Sequence, residues 1–240
     1  MHFRHIVWTI NFKQRPTFFM KTIILFIYLS TSIYCFTQHS TGIYKMTWRI
    51  DNRLTTAFQM ETQNQGIFRD VHTFRMPEQH RDAVVDQVKS IINELLNTNS
   101  QLVFRKRKNG NRIETGSSQE YVGGLPRSTK RKAIKEFEQD LYAKVYINVS
   151  AYRSNIVGAS VLNTGVSRFR PFVRIKIKAY GSDRKRVYRK KIKLNDFEKL
   201  RSVSYTVGGT TVRRSQTLKD YEIRDMVIRA LKSMSPTVSP

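Results

Sequence analysis

The sequence predicts an α+β fold: an antiparallel sheet of several hairpins with two to three helices packed on one side. Three observations carry this expectation. Apolar residues alternate with polar ones over 145–151 and again over 173–194, the period of a strand with one buried face. They recur at three- and four-residue steps over 78–97 and 218–234, the period of an amphipathic helix. Glycine-containing turns fall between the alternating runs, as hairpins require.

Taken from the N-terminus, residues 20–38 come first. Met20-Lys21 opens an apolar run that ends on Cys35-Phe36-Thr37-Gln38, the charged start, short apolar middle and small exit residue of a secretory signal peptide. The run is shorter than the roughly twenty apolar residues that span a bilayer, so cleavage near Thr37 is expected rather than anchoring. Met20 is a candidate true start, which makes 1–37 a leader and 38–240 the mature α+β domain, with a possible internal boundary near 123–128. Residues 43–50 and 54–60 read as extended, with Asp51-Asn52 turning between them, and 67–74 as a further strand. Val84, Val85, Val88, Ile91, Ile92, Leu95 and Leu96 then line one face of a helix over about 78–97.

From Leu102 the chain is extended and basic, running through Arg105, Lys106, Arg107 and Lys108 into the hairpin signal Asn109-Gly110. A polar excursion through Gly123-Gly124-Leu125-Pro126 follows. Ser128 is the expected cap of a short helix that places Ala133, Ile134, Phe137 and Leu141 together. Val145, Ile147, Val149 and Ala151 alternate as a strand. So do Val173, Ile175, Ile177 and Ala179, and, after Gly181-Ser182-Asp183, Tyr188, Ile192 and Leu194. The intervening positions are Arg174, Lys176, Lys178, Arg189, Lys191 and Lys193. The pattern predicts a hairpin with an apolar underside and six cations on top, and these six are the candidate anion-binding residues. Phe169 and Phe172, set among Arg168, Arg170 and Pro171, are expected to be buried at the entry to the first of these strands. A Gly208-Gly209 hairpin joins Val203, Tyr205 and Val207 to Val212, and a last helix begins from a Thr217/Asp220 capping box.

Charge narrows the function. The chain carries 43 Lys+Arg against 18 Asp+Glu, a net +25. Only four of those cations and none of the acids precede residue 38, so an excess of 21 belongs to the remainder. A field of that sign attracts anionic surfaces, whether nucleic acid, lipid headgroups or an acidic envelope polymer, and an envelope partner protein is a further expected partner. With an export signal, envelope polymers and lipids are expected ahead of nucleic acid. The expectation is therefore a periplasmic or secreted, non-enzymatic, envelope-associated binding protein with no cofactor. An exported hydrolase without a recognisable motif stands second, and a nucleic-acid binder third if the leader is not an export signal. No nucleophile elbow, zinc helix, dinucleotide fingerprint, phosphate loop or calcium loop is present. Cys35, the one cysteine, lies in the leader, and His72 and His80 lack the spacing of a zinc site. Asp82 and Asp86 stand one helical turn apart with no histidine at a matching step. Glu61, Asp70, Glu114 and Glu120 are further carboxylates, with nothing to choose among them.

Overall fold

The computed structural model describes residues 39–62, 66–69, 74–159 and 164–235. The expected leader, with Met20 and Cys35, lies outside them, as do Asp70 and His72. Nine strands, β1 (His39–Ile50), β2 (Phe58–Thr62), β3 (Gly66–Arg69), β4 (Thr98–Leu102), β5 (Leu141–Ala159), β6 (Thr164–Gly181), β7 (Arg186–Leu194), β8 (Leu200–Val207) and β9 (Thr210–Ser215), join one sheet. Three helices accompany them among the described residues: α1 (Glu78–Leu96), α2 (Lys130–Glu136) and α3 (Asp220–Lys232). The strand order is β3-β2-β9-β8-β6-β5-β1-β4, with β7 also paired to β6.

The sheet is mixed, which corrects the expectation of antiparallel hairpins throughout. β1 runs parallel to both β4 and β5, because the connections out of β1 are crossovers rather than tight turns. The β6–β7 and β8–β9 pairs are the antiparallel hairpins that alternation and turn residues predict, and β5 also pairs antiparallel with β6. Gly208 and Gly209 hold φ of 55° and 76° at the last turn, values that side chains resist and glycine accepts. Asn109-Gly110 turns a small antiparallel excursion in which Lys106 faces Arg112.

Two edges each change partner partway along. β6 pairs β8 from Thr164 to Phe169 and β7 from Val173 to Tyr180, on the edge away from β5. Pro171, which has no N–H to give, falls between the two partners, where a missing donor costs least. β1 pairs β4 over its first five residues, and residues 120–127 then lie antiparallel along the rest of it. Met46 and Ile50 donate their backbone N–H groups to Pro126 and Glu120, and Val122 donates to Trp48, at 3.0, 2.8 and 3.0 Å.

The principal core fills one face of the sheet. Trp48, Val145, Ile147, Val149, Val173, Ile175 and Ile177 are wholly buried against Val84, Val88, Ile92 of α1 and Ile223, Val227, Ala230 of α3. Val122 and Leu125 join this core. The second correction concerns α2, which packs on the opposite face. Ala133 is buried with Tyr44, Val103 and Tyr142, and Tyr142 has the opposite strand parity to the core residue Ala143. The helices therefore cover both faces rather than one.

Smaller differences have local causes. Leu54 sits in a 3-10 turn, Asn52–Leu54, so β2 starts only at Phe58. β3 covers Gly66–Arg69 of the expected 67–74 strand, and residues 70–73 lie outside the described residues. Thr129, not Ser128, caps α2, its hydroxyl accepting from the Lys132 N–H. The predicted Thr217/Asp220 box is displaced by two residues: Glu222 accepts from the Lys219 N–H at 2.7 Å. β6 begins at Thr164, so Phe169 and Phe172 lie inside it, both buried as expected.

Candidate functional site

The register of β6 and β7 sets Arg174 opposite Lys193, Lys176 opposite Lys191 and Lys178 opposite Arg189. All six predicted cations thus share one face in three directly opposed like-charged pairs. Their neighbours in sequence, Val173, Ile175, Ile177 and Ala179, are fully buried beneath. On β7, Arg189, Lys191 and Lys193 are exposed while Tyr188, Ile192 and Leu194 turn inward. Lys190 also turns inward, and its ammonium donates to the Met234 carbonyl just beyond the end of α3, at 2.6 Å.

The same face continues beyond the predicted hairpin. Lys178 pairs Lys144 on β5, Lys144 pairs Lys45 on β1, and Lys45 faces Arg127 of the 120–127 segment. Directly paired residues project to the same side of a sheet. Arg127, Lys45, Lys144, Lys178 and Arg189 therefore form one row of cations crossing the strands. Lys176 and Lys191 make a second, shorter row beside it, and Arg174 and Lys193 a third. Among the described residues none of these nine has a carboxylate within 4.0 Å. Ion pairs stand farther along the face, Arg49 with Glu120 at 2.9 Å and Arg53 with Asp51 at 2.6 Å.

Crowding shows in the electrostatics. Lys178 first, then partial desolvation, then Arg189, Lys191 and Lys144 push the Lys176 ammonium below the ordinary lysine value. Lys45 is lowered as well, by burial above all and then by Lys144 and Arg127. Aromatic rings absorb some of this charge. Lys193 lies 4.3 Å from the Tyr152 ring centre and 5.2 Å from that of Phe172, and these two rings stack at 4.5 Å. Arg174 is 5.7 Å from the Phe172 ring, with its Nε buried and without a hydrogen-bond partner.

Lys45, Lys144 and Arg127 were missed by the sequence reading. The parity signal exists, since Lys45 and Lys144 immediately precede the buried Met46 and Val145. What places them in one row is a parallel pairing that no local pattern announces.

A concavity of about 210 Å³ lies by the 3-10 turn and is lined by Asp51, Arg53, Glu120 and Arg213 among others. It brings two carboxylates together, the minimum for acid–base hydrolysis, but each is already engaged. Asp51 accepts from Arg53 and from the Ser150 hydroxyl at 2.7 Å, and Glu120 is held by Arg49. Burial by itself raises the Asp51 carboxyl. The Arg53 and Ser150 hydrogen bonds and the Arg53 charge outweigh it and hold Asp51 below the ordinary carboxylate value, which suits a structural anion rather than a proton donor. Asp82 and Asp86 are similarly spoken for, bonded to Arg81 and Lys89. His80 sits 3.0 Å from Asp220 at the start of α3. Among the described residues no three His, Cys, Asp or Glu side chains converge to hold a metal.

The chain matches no protein-family model and no curated protein. Among solved structures it is similar to the crystal structure of a protein named as a neuraminyllactose-binding hemagglutinin homolog from Helicobacter pylori. The two share 9% identity over 85% of this chain and 87% of that one, with a TM-score of 0.34. So distant a likeness leaves the ligand of this chain to be argued from its own residues.

Proposed function

We propose that this chain is an exported, non-enzymatic binding protein of the cell envelope whose cationic sheet face engages an anionic polymer or headgroup surface. One observation carries the proposal: three directly opposed like-charged pairs on β6 and β7 with no carboxylate within 4.0 Å among the described residues. Such pairs each cost a few tenths of a kcal/mol relative to neutral neighbours, and an anion removes that cost. Lysines also guard exposed strand edges against aggregation, and β7, paired only to β6, is such an edge. Edge protection does not account for Arg174, Lys176 and Lys178, because β6 has partners on both sides. The export part rests on the leader at 20–38.

The test expresses the full chain in a secreting Gram-negative host and measures its N-terminus, cell fraction and binding to polygalacturonate and to anionic phosphatidylglycerol vesicles. A mature chain starting near Gln38 in the envelope, binding a polyanion with strong salt dependence, is expected. Replacing Lys176, Lys178, Arg189 and Lys191 together by alanine weakens that binding roughly tenfold or more and flattens its salt slope, with melting unchanged. Full-strength binding by the quadruple variant overturns the assigned face. An intact N-terminus in the cytoplasm overturns export.

A further inference from the structure

Resting on the polyanion reading above, we infer that the site is larger than the β6–β7 hairpin and takes a linear acidic polysaccharide laid across the strands. Its main track is the row Arg127, Lys45, Lys144, Lys178 and Arg189, five cations contributed by the 120–127 segment, β1, β5, β6 and β7. Neighbouring strands lie about 4.8 Å apart, so the row extends for roughly 19 Å with one positive charge per strand. A polymer with one carboxylate per sugar ring repeats its charge on the same scale, and can meet each cation in turn without coiling.

The side chains between and beside the cations decide among anionic partners. Thr47, Tyr146 and Asn148 occupy the same face, all half-buried, and offer hydroxyl and amide groups to a polyhydroxylated chain. A membrane-surface protein instead sets exposed apolar side chains among its cations to enter the acyl boundary; here Thr47, Tyr146 and Asn148 stand in those places, and Phe172, beside Arg174 and Lys193, is buried. A single-stranded nucleic acid needs open aromatic faces on which bases stack. Here Lys130 lies 4.5 Å from the Tyr180 ring and Tyr142 is buried, while Tyr152, 41% exposed, has Phe172 stacked on it and Lys193 4.3 Å from its centre. Besides Tyr152, the half-buried Tyr146 and, at the margin, Tyr121 remain, too few and too scattered for a run of stacked bases. The other rings on this face are buried or lie against its own cations.

The row makes a prediction that the hairpin by itself does not: affinity depends on ligand length. Oligogalacturonates of three, five and eight residues are titrated into the full chain, its Lys45→Gln/Arg127→Gln/Lys144→Gln variant and its Lys178→Gln/Arg189→Gln variant. For the native chain, affinity climbs from the trimer to the pentamer and then levels. The first variant keeps trimer affinity and loses the gain with length, about tenfold at the pentamer; the second weakens every length. Removing mutually repelling charges is not expected to impair folding, and a melting curve for each variant checks this. Equal pentamer affinity in the native chain and the first variant overturns the extended row while leaving the hairpin site standing. Tighter binding of oligodeoxythymidylate or phosphatidylglycerol vesicles than of the octamer overturns the polysaccharide. Failure of every polyanion to bind overturns the function proposed above.

Discussion

Asp51 ties the turn that follows β1 to β5. Its carboxylate accepts from the Arg53 backbone and guanidinium and from Ser150 on β5, while Arg53 continues to the Ala151 carbonyl at 3.1 Å. The Asp51 pKa is depressed from 3.8 by this set of bonds. A carboxylate lowered in the folded state contributes stability that is present above its unfolded pKa and is lost as pH falls through its folded one. Asp51→Asn is therefore expected to lower unfolding free energy at neutral pH by about 1–3 kcal/mol, with the gap to the native chain closing below about pH 4. Urea melts at pH 7 and pH 3 read this out, and an equal gap at both refutes it. The sequence marks Asp51 as a turn residue, and that much holds; its bond to Ser150, 99 positions away, has no local signature.

At the scale of elements, residues 120–127 behave as a surrogate strand. Gly123, Gly124 and Pro126 look like loop punctuation, yet the segment bonds to the outer edge of β1 and buries Leu125 completely. Gly124, at φ 72°, has Arg81 closing over the place a side chain would take. Leu125→Ala is expected to cost about 2–5 kcal/mol, the range for emptying a packed leucine site, measured by chemical denaturation. A loss below about 0.5 kcal/mol, typical of a surface change, shows that the segment is dispensable to the core. Alternation at 145–151 and 173–194 was readable because each of those strands has one buried face. Helices α1 and α3 were readable for the same reason at their own period. The cap shifts at Thr129 and Lys219 arose because several adjacent polar residues can serve as a cap and only the packed backbone selects one.

For the whole molecule, the excess of positive charge is a thermodynamic load as well as a recognition surface. Exposed like charges repel across a few ångströms, and added salt screens them. Raising sodium chloride from 20 to 300 mM, a change flagged by a Debye length falling to below about 10 Å, is expected to raise the melting midpoint of the native chain. The quadruple alanine variant gains less. Equal gains in the two place the repulsion elsewhere than on β6 and β7. By itself the sequence determined the hairpins, the two long helices and the six cations on one face, because each is a local periodicity of 2.0 or 3.6 residues. Only the tertiary structure decided that β1 runs parallel between β4 and β5, that α2 covers the far face, and that Lys45, Lys144 and Arg127 extend the cationic row. Those depend on which distant strands meet and in which register, a choice set by the shared burial of Trp48, Ile147 and Ile175 and not by any pattern within one segment.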